Sequence, residues 1–308
     1  MSFTISDTTY AGEAASGFIT KAITGADTVQ GGHVYVKDGI KKKFTIPRYD
    51  LDNIIQDRQA TPNSSQGDQT VDGKVLDPQD YMIYFEFNPR DFEDHWHAVQ
   101  LDKNLIDRKL PVTAESIVIQ EVLKQHSKWF DRAIWQGNQT SGTAPYDKFN
   151  GLIVQAKADA DLISVSSPIT LTAANIKDEL ERGYVQIPNE LLYDVNLKIF
   201  VSYKTAELYR AYQQAQANKG VDVTSAGVMR YNGKRVVPVA GFPDDAYMIS
   251  LGSADMDSNL WVGVNSREDE TNIKLDFVAK NSELMFVKVL CKAETNIAWG
   301  GQTIYYGA

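Results

Sequence analysis

One uninterrupted amphipathic stretch constrains the fold most, LPVTAESIVIQEVLKQHSKWFDRAIWQG at residues 110–137. Its apolar side chains and one histidine recur at spacings of three and four, which places them on one helical stripe. The stripe consists of Ile119, Val122, Leu123, His126, Phe130, Ala133 and Ile134. Thr113 is the predicted cap, Glu115 suits the positive end of the helix dipole, and Gly137 is the predicted stop. We therefore expect one long helix, with His126 semi-buried and hydrogen-bonded on its apolar side.

Beyond this helix, helical and β-type segments alternate, which predicts an α+β fold. Helical patterns cover residues 172–187, before Pro188, and residues 205–220, which end at Gly220. LKIFVS, AYMISL, NLWVGV and QTIYY are predicted strands, and Asn232-Gly233 is a predicted two-residue hairpin turn. Two longer β runs follow in NIKLDFVAKNSELMFVKVLCKAETNIAW, on either side of residues 280–282.

The first hundred residues indicate an arm followed by a projecting β-hairpin. Residues 1–32 are rich in Ser, Thr, Gly and Ala, and HVYVKDGIKKKFTI predicts a hairpin turn at Asp38-Gly39. The polar run ATPNSSQGDQTVDGK, residues 60–74, lies between PRYDLDNIIQDRQ and the aromatic strand DPQDYMIYFEFNPRDF. A polar excursion of this length in a compact chain usually carries a function or is disordered. We predict two β arms joined by an exposed polar tip.

Composition excludes several classes of protein. The 308 residues carry a formal net charge of -9, and the pI is near 5.0, which argues against a dedicated nucleic-acid binder. No apolar run approaches the ~18 residues that span a bilayer, and the N-terminus lacks the features of a signal peptide, so we expect cytoplasmic synthesis. The single cysteine, Cys291, is expected to pack as a small hydrophobe.

Short motifs provide little evidence for chemistry, and we predict no catalytic residue, metal site or cofactor. GVMRYNGKR is one residue too long for a phosphate loop, and SADMDSNLW lacks the turn glycine and final glutamate of a calcium loop. Glu93, His95 and His97 of EDHWH could bind a metal if two imidazoles shared one strand face. A metal-dependent enzyme therefore remains an alternative.

The order of elements resembles the major capsid proteins of tailed bacteriophages, which have the Hong Kong 97-type fold. GGHVYVKDGIKKKFTIP and DPQDYMIYFEFNPRDFEDHW look like an E-loop and its base, and residues 110–137 look like the spine helix. IPNELLYDVNLKIFVSYKTAELYRAY and RVVPVAGFPDDAYMISLGSADMDSNLWVG look like axial-domain elements. The resemblance implies an arm at 1–32, an E-loop and base at 33–97 and a peripheral domain at 98–150. An axial domain at 151–267 and return strands at 268–308 complete the division.

This resemblance implies a shell protein that assembles into pentamers and hexamers around double-stranded DNA in a virion, after synthesis in the cytoplasm of a host bacterium. Scaffolding, portal and decoration proteins are implied as possible partners, and a membrane is not. The E-loop tip is expected to contact a neighbouring subunit through Pro62, Asn63, Gln66, Asp68 and Lys74, and the E-loop arms through Lys41, Lys43 and Arg58. An encapsulin-like nanocompartment shell and another structural virion protein, such as a tail protein, remain alternatives.

Overall fold

The computed structural model describes residues 8–10, 25–52, 54–58, 68–88, 112–215, 228–265, 273–279 and 282–307. Pro62, Asn63, Gln66, Gly220 and the EDHWH stretch lie outside these residues. The helices are α1 (Asp27–Gln30), α2 (Val112–Gln136), α3 (Leu152–Ala158), α4 (Ile176–Tyr184) and α5 (Tyr203–Ala215). None of the described helices is long and apolar enough to cross a bilayer.

The strands of the amino-terminal part are β1 (Thr8–Tyr10), β2 (Tyr35–Lys37), β3 (Phe44–Asp52), β4 (Asp68–Leu76) and β5 (Gln79–Phe87). Those of the middle part are β6 (Ile163–Ser164), β7 (Leu197–Ser202), β8 (Arg230–Tyr231), β9 (Lys234–Val239) and β10 (Tyr247–Leu251). The last four are β11 (Leu260–Val264), β12 (Ile273–Phe277), β13 (Met285–Ile297) and β14 (Ile304–Tyr306). Helices and mixed sheets together give the predicted α+β fold.

The long helix is present as predicted. α2 ends at Gln136, directly before Gly137, and every residue of the predicted stripe is buried or half-buried. A side chain at position 137 would place its Cβ 2.6 Å from the carbonyl oxygens of Ala133 and Phe149, so only glycine fits the close passage of the chain there. The prediction for Thr113 was wrong, because α2 begins at Val112 and Thr113 lies inside its first turn.

The first sheet is built around β13. β5 pairs with one edge of β13, while β11 and β12 pair in succession with the other edge. β2 adds to β11 in parallel, and β1 adds to β12 in antiparallel orientation. α2 packs on this sheet through Phe130, Ala133 and Ile134, which share one apolar cluster with β13 residues such as Val287 and Val289.

The second sheet has the strand order β6-β14-β10-β7-β9-β8. One face packs against α4 and α5 through Ile199, Val201, Val236 and Ile249. On the other face, Phe200 contacts Trp135 of α2, with ring centroids 5.2 Å apart. The predicted hairpin at Asn232-Gly233 is confirmed, because both residues have positive φ and join β8 to β9.

A separate two-stranded ribbon corrects the predicted hairpin. β3 pairs with β4 over all nine residues of each strand, from Phe44↔Leu76 to Asp52↔Asp68. Residues 68–74 of the supposed polar excursion are therefore strand, and β5 pairs with β13 instead of forming the second arm. The Asp38-Gly39 hairpin was also wrong, because β2 pairs with β11 and not with β3.

Candidate inter-subunit interface

The ribbon of β3 and β4 turns apolar side chains away from the rest of the subunit. Tyr49 and Val71 are in register, and their side chains are 57% and 67% exposed. Val75 lies on the same outer face and is 45% exposed, and Ile55, just after β3, is 92% exposed. No other described strand pairs with either outer edge of the ribbon. An isolated two-stranded ribbon is only marginally stable in water, so this surface favours contact with another chain.

The inner face of the ribbon is fixed to the subunit at its base. Ile46 and Leu76 are almost fully buried and cluster with Ile40, Trp261 and Ala298. The nitrogen Nδ2 of Asn296 on β13 donates to the carbonyl oxygen of Val75 at 2.8 Å. The ribbon therefore combines a packed base with a distal part whose outer face is uncovered.

Arg48 holds the middle of the ribbon. Its Nε donates to Asp72 Oδ1 at 2.7 Å, and its Nη2 donates a second hydrogen bond to Asp72 Oδ2. Its Nη1 donates to the carbonyl oxygen of Ala298 at 3.1 Å, and the guanidinium carbon lies 4.8 Å from the centroid of a Trp299 ring. The hydrogen bond from Arg48 lowers the pKa of Asp72. One arginine thus joins both strands to the segment after β13.

A second uncovered apolar surface lies between β5 and α2. A groove of about 680 Å³ is lined by residues 81–85 and by helix residues that include Val118, Val122 and Trp129. Five consecutive strand residues line it, which indicates that the groove follows the strand edge, because one face presents only alternate residues. Met82, Tyr84 and Phe85 are each about half exposed. An apolar segment of another chain would be sheltered from water here.

The titratable groups near this groove favour packing over catalysis. Burial lowers the pKa of His126 to about 4, and its Nε2 lies 2.8 Å from the hydroxyl oxygen of Tyr81. Nδ1 of His126 is buried with no hydrogen-bond partner among the described residues, so the predicted histidine is only partly satisfied. Burial raises the pKa of Cys291 to about 12, which is the behaviour of an inert, packed thiol.

Within the described ranges, no group of three or more His, Cys, Asp or Glu side chains could hold a metal ion. The EDHWH stretch lies outside these ranges.

No family model matches the chain, and no curated protein does. Solved structures do. A chain of the satellite phage P4 procapsid aligns with a TM-score of 0.61 at 10% identity, over 94% of this chain and 97% of that chain. The capsid of an empty GTA particle aligns with a TM-score of 0.59 at 12% identity, over 92% of this chain and 90% of that chain. The chain has the Hong Kong 97-type capsid fold.

The same fold also occurs in an encapsulin. The holo-SrpI encapsulin complex from Synechococcus elongatus PCC 7942 aligns with a TM-score of 0.51 at 8% identity, over 89% of this chain and 84% of that chain. We call the β3–β4 ribbon the E-loop and α2 the spine helix, after the parts predicted for this fold, and the assignment of the second sheet to an axial domain remains a prediction.

The E-loop residues predicted from sequence lie at different heights along the ribbon. Asp68 opens β4 opposite Asp52, at the distal end of the described part, and Arg58 is exposed beyond β3. The prediction that Lys74 lies at the tip was wrong, because it pairs with Ile46 at the base of the ribbon. Its Nζ lies 2.8 Å from Asp159 Oδ2 of the same chain.

The two predicted arm lysines also need a correction of position. Lys41 and Lys43 precede β3, so they lie before the arm and not within it. Lys43 pairs with Asp77 at 3.3 Å. Contact of any of these residues with a second subunit remains a prediction.

Sequence reasoning missed the exposed pair of Tyr49 and Val71. The available signal was the alternation of FTIPRYD, in which Phe44, Ile46 and Arg48 share one face and Tyr49 belongs to the other. Val71 could not be assigned to that outer face without the register of β4, because its own stretch, DQTVDGKVL, is mostly polar.

Proposed function

We propose that the chain is a major capsid protein that self-assembles into the icosahedral head shell of a tailed phage with a double-stranded DNA genome. The observation that carries the proposal is the E-loop ribbon, whose outer face presents the Tyr49–Val71 pair to solvent. The shared fold with chains of a phage procapsid and a GTA capsid supports the same reading.

Shell formation explains why the ribbon needs a partner. A contact between two different surfaces repeats around rings of identical subunits, so that each modest interface is multiplied across a closed assembly. Polar residues around the exposed apolar pair keep the free subunit dissolved until it assembles. The proposed role is structural and includes no catalytic step.

The proposed partners and location follow from this role. Copies of the chain form pentamers and hexamers, double-stranded DNA lies inside, and scaffolding, portal and decoration proteins are possible further partners. The chain is made in the bacterial cytoplasm and ends in the virion. The predicted domain boundaries and the predicted contacts of the E-loop with a neighbouring subunit are part of the proposal, except that Lys74 lies at the base of the ribbon and not at its tip.

An encapsulin-like shell is the second candidate, because an encapsulin shares the fold and the groove beside β5 could shelter a peptide. The contents of the purified shell distinguish the two candidates. Nuclease-protected DNA in particles from infected or induced cells supports the capsid role, whereas a co-purifying cargo enzyme in place of DNA supports the nanocompartment.

The test of the capsid role is electron microscopy of the purified full chain, with rings of five or six subunits and closed shells as the expected result.

The double variant Tyr49→Ser/Val71→Ser should still fold as a subunit but should form no shells. Ile169→Ser, which removes another exposed apolar side chain, is the control and should assemble normally. A wild-type chain that remains monomeric at all concentrations would contradict the proposal.

A further inference from the structure

Three cationic side chains stand in one row across the second sheet. Arg230 on β8 pairs with Arg235 on β9, and Arg235 pairs with Lys198 on β7. In-register residues of neighbouring strands project from the same face, with strands about 4.8 Å apart. Like charges directly opposite each other destabilise a sheet, so this cation row is unfavourable in a subunit that offers it no anion.

The described part of the chain does not neutralise the cation row. Nη1 of Arg230 donates to the carbonyl oxygen of Gly233 at 3.2 Å. Nζ of Lys198 lies 3.4 Å from the carbonyl oxygen of Gly32 and 3.3 Å from Nδ1 of His33. These are neutral partners. Among the described residues, ion pairs form at many other lysines and arginines, such as Arg182 and Arg210, but at none of the three in the row.

Burial increases the electrostatic cost at one end of the row. Lys198 is only 9% exposed, and its pKa is lowered by burial and then by the charge of Arg235. The pKa of the adjacent His33 falls to about 4, by burial first and then by the charges of Lys198 and Arg235. Asp27 is the acidic group that acts on His33, but its Oδ2 accepts a hydrogen bond from the Tyr203 hydroxyl at 2.9 Å.

The surroundings of the row favour a protein partner over a nucleic acid. Val228, two residues before Arg230, is 55% exposed. Arginine mixed with exposed aliphatic side chains is typical of protein interfaces. Nucleic-acid sites instead present broad basic surfaces, on chains that seldom carry a net charge of -9.

We propose that the exposed end of the cation row and Val228 beside it form a contact surface for a second copy of this chain, which places a carboxylate against Arg230 and Arg235. The inference rests on the proposed shell function. Each copy has 40 acidic residues against 31 basic ones, so a neighbouring copy has carboxylates to supply. In a shell every row then meets one carboxylate, which can accept two parallel hydrogen bonds from an arginine.

The variant Arg230→Gln/Arg235→Gln tests the surface, with Arg210→Gln as the matched control. Arg210 lies on α5, against the same sheet, but it already pairs with Glu207 at 2.6 Å. The double variant should leave the melting temperature of the free subunit unchanged or higher, because repulsion is removed. The subunit concentration needed for shells should rise at least about tenfold, as expected when charge pairs at an interface are lost. Arg210→Gln should assemble like the wild type.

A photo-reactive benzophenone amino acid in place of Arg235 identifies the partner. In assembled shells we expect a cross-link to a peptide of the same chain that contains Asp or Glu. A cross-link to packaged nucleic acid, or assembly of the double variant at wild-type concentration, overturns the inference and leaves the shell function standing. A double variant whose free subunit is less stable than the wild type also overturns it. A wild-type chain that forms no shells overturns both.

Discussion

Lys74 Nζ lies 2.8 Å from Asp159 Oδ2, across the junction between the E-loop and the loop after α3. The Asp159 side chain is only 4% exposed, whereas that of Lys74 is 31% exposed. Burial alone would raise the pKa of Asp159, but the hydrogen bond and charge of Lys74 outweigh it and lower the pKa below 3.8. The base of the E-loop is therefore held by a largely desolvated ion pair as well as by packing.

Replacing Lys74 with Met should destabilise the free subunit by about 2–3 kcal/mol, because it leaves a buried carboxylate without its partner. Urea unfolding at pH 7 measures this. Lys43→Met is the control: its pair with Asp77 is at the surface, with side chains 72% and 50% exposed, and its loss should cost under about 1 kcal/mol.

The Lys74→Met effect should also depend on pH. Because the folded pKa of Asp159 is depressed, the stabilisation by the pair is present above about pH 3.8 and is lost as the pH falls further. Equal costs for the two lysine variants at pH 7 would contradict the role of the buried pair.

His126 should make stability depend on pH in the mildly acidic range. Its folded pKa of about 4 lies below the ordinary value of 6.5, so the unfolded chain binds the proton first. Stability from this group is full above pH 6.5 and falls as the pH drops toward 4, by up to about 3 kcal/mol. In His126→Phe, the slope of unfolding free energy against pH should be shallower, by an amount that corresponds to at most one proton taken up on unfolding. His33 acts in the same direction, so some slope should remain.

Glu294 should produce the opposite slope. Its side chain is buried, Oε1 accepts a hydrogen bond from Gln155 Nε2 at 2.8 Å, and burial raises the pKa from 4.5 to about 7. The folded state keeps the proton that the unfolded chain releases. The stabilisation is therefore full below pH 4.5 and lost as the pH rises to about 7.

Relative to wild type, Glu294→Gln should gain up to about 3 kcal/mol of unfolding free energy between pH 4.5 and 7.5. Urea unfolding over that range measures the gain. If the difference in unfolding free energy between variant and wild type does not change over that pH range, Glu294 is already ionised in the folded state.

The elements that local sequence predicted are those with local causes. The stripe of α2 follows from a spacing of three and four, and the turn at Asn232-Gly233 follows from two residues that tolerate positive φ, 44° and 81° here. Gly39 also has positive φ, at 77°, yet no hairpin forms there. The partner of β2 is β11, more than two hundred residues later in the chain, and such pairing leaves no local signal.

The candidate interface was harder to predict for a related reason. β4 is strand because β3 pairs with it, although DQTVDGKVL is too polar to indicate a strand alone. The outer apolar pair and the cation row both consist of residues distant in sequence that a register brings together. Sequence reasoning located the region of the ribbon, but not the side chains that face outward.

On the spine helix, substitution of Asp131 should destabilise the subunit more than substitution of any other carboxylate. It is 3% exposed, its Oδ1 accepts the amide of Thr28 at 2.8 Å, and its Oδ2 accepts the amide of Gly241 at 2.7 Å. Asp131→Ala leaves two buried N–H groups unpaired and should cost about 3 kcal/mol or more. Asp131→Asn keeps one acceptor oxygen and should cost less. Hydrogen exchange at Thr28 and Gly241 should accelerate in both variants, whereas Asp257→Ala, on an exposed turn, should leave both amides protected. Unchanged protection in Asp131→Ala would show that other groups hold α1 and the β9–β10 loop against the spine helix.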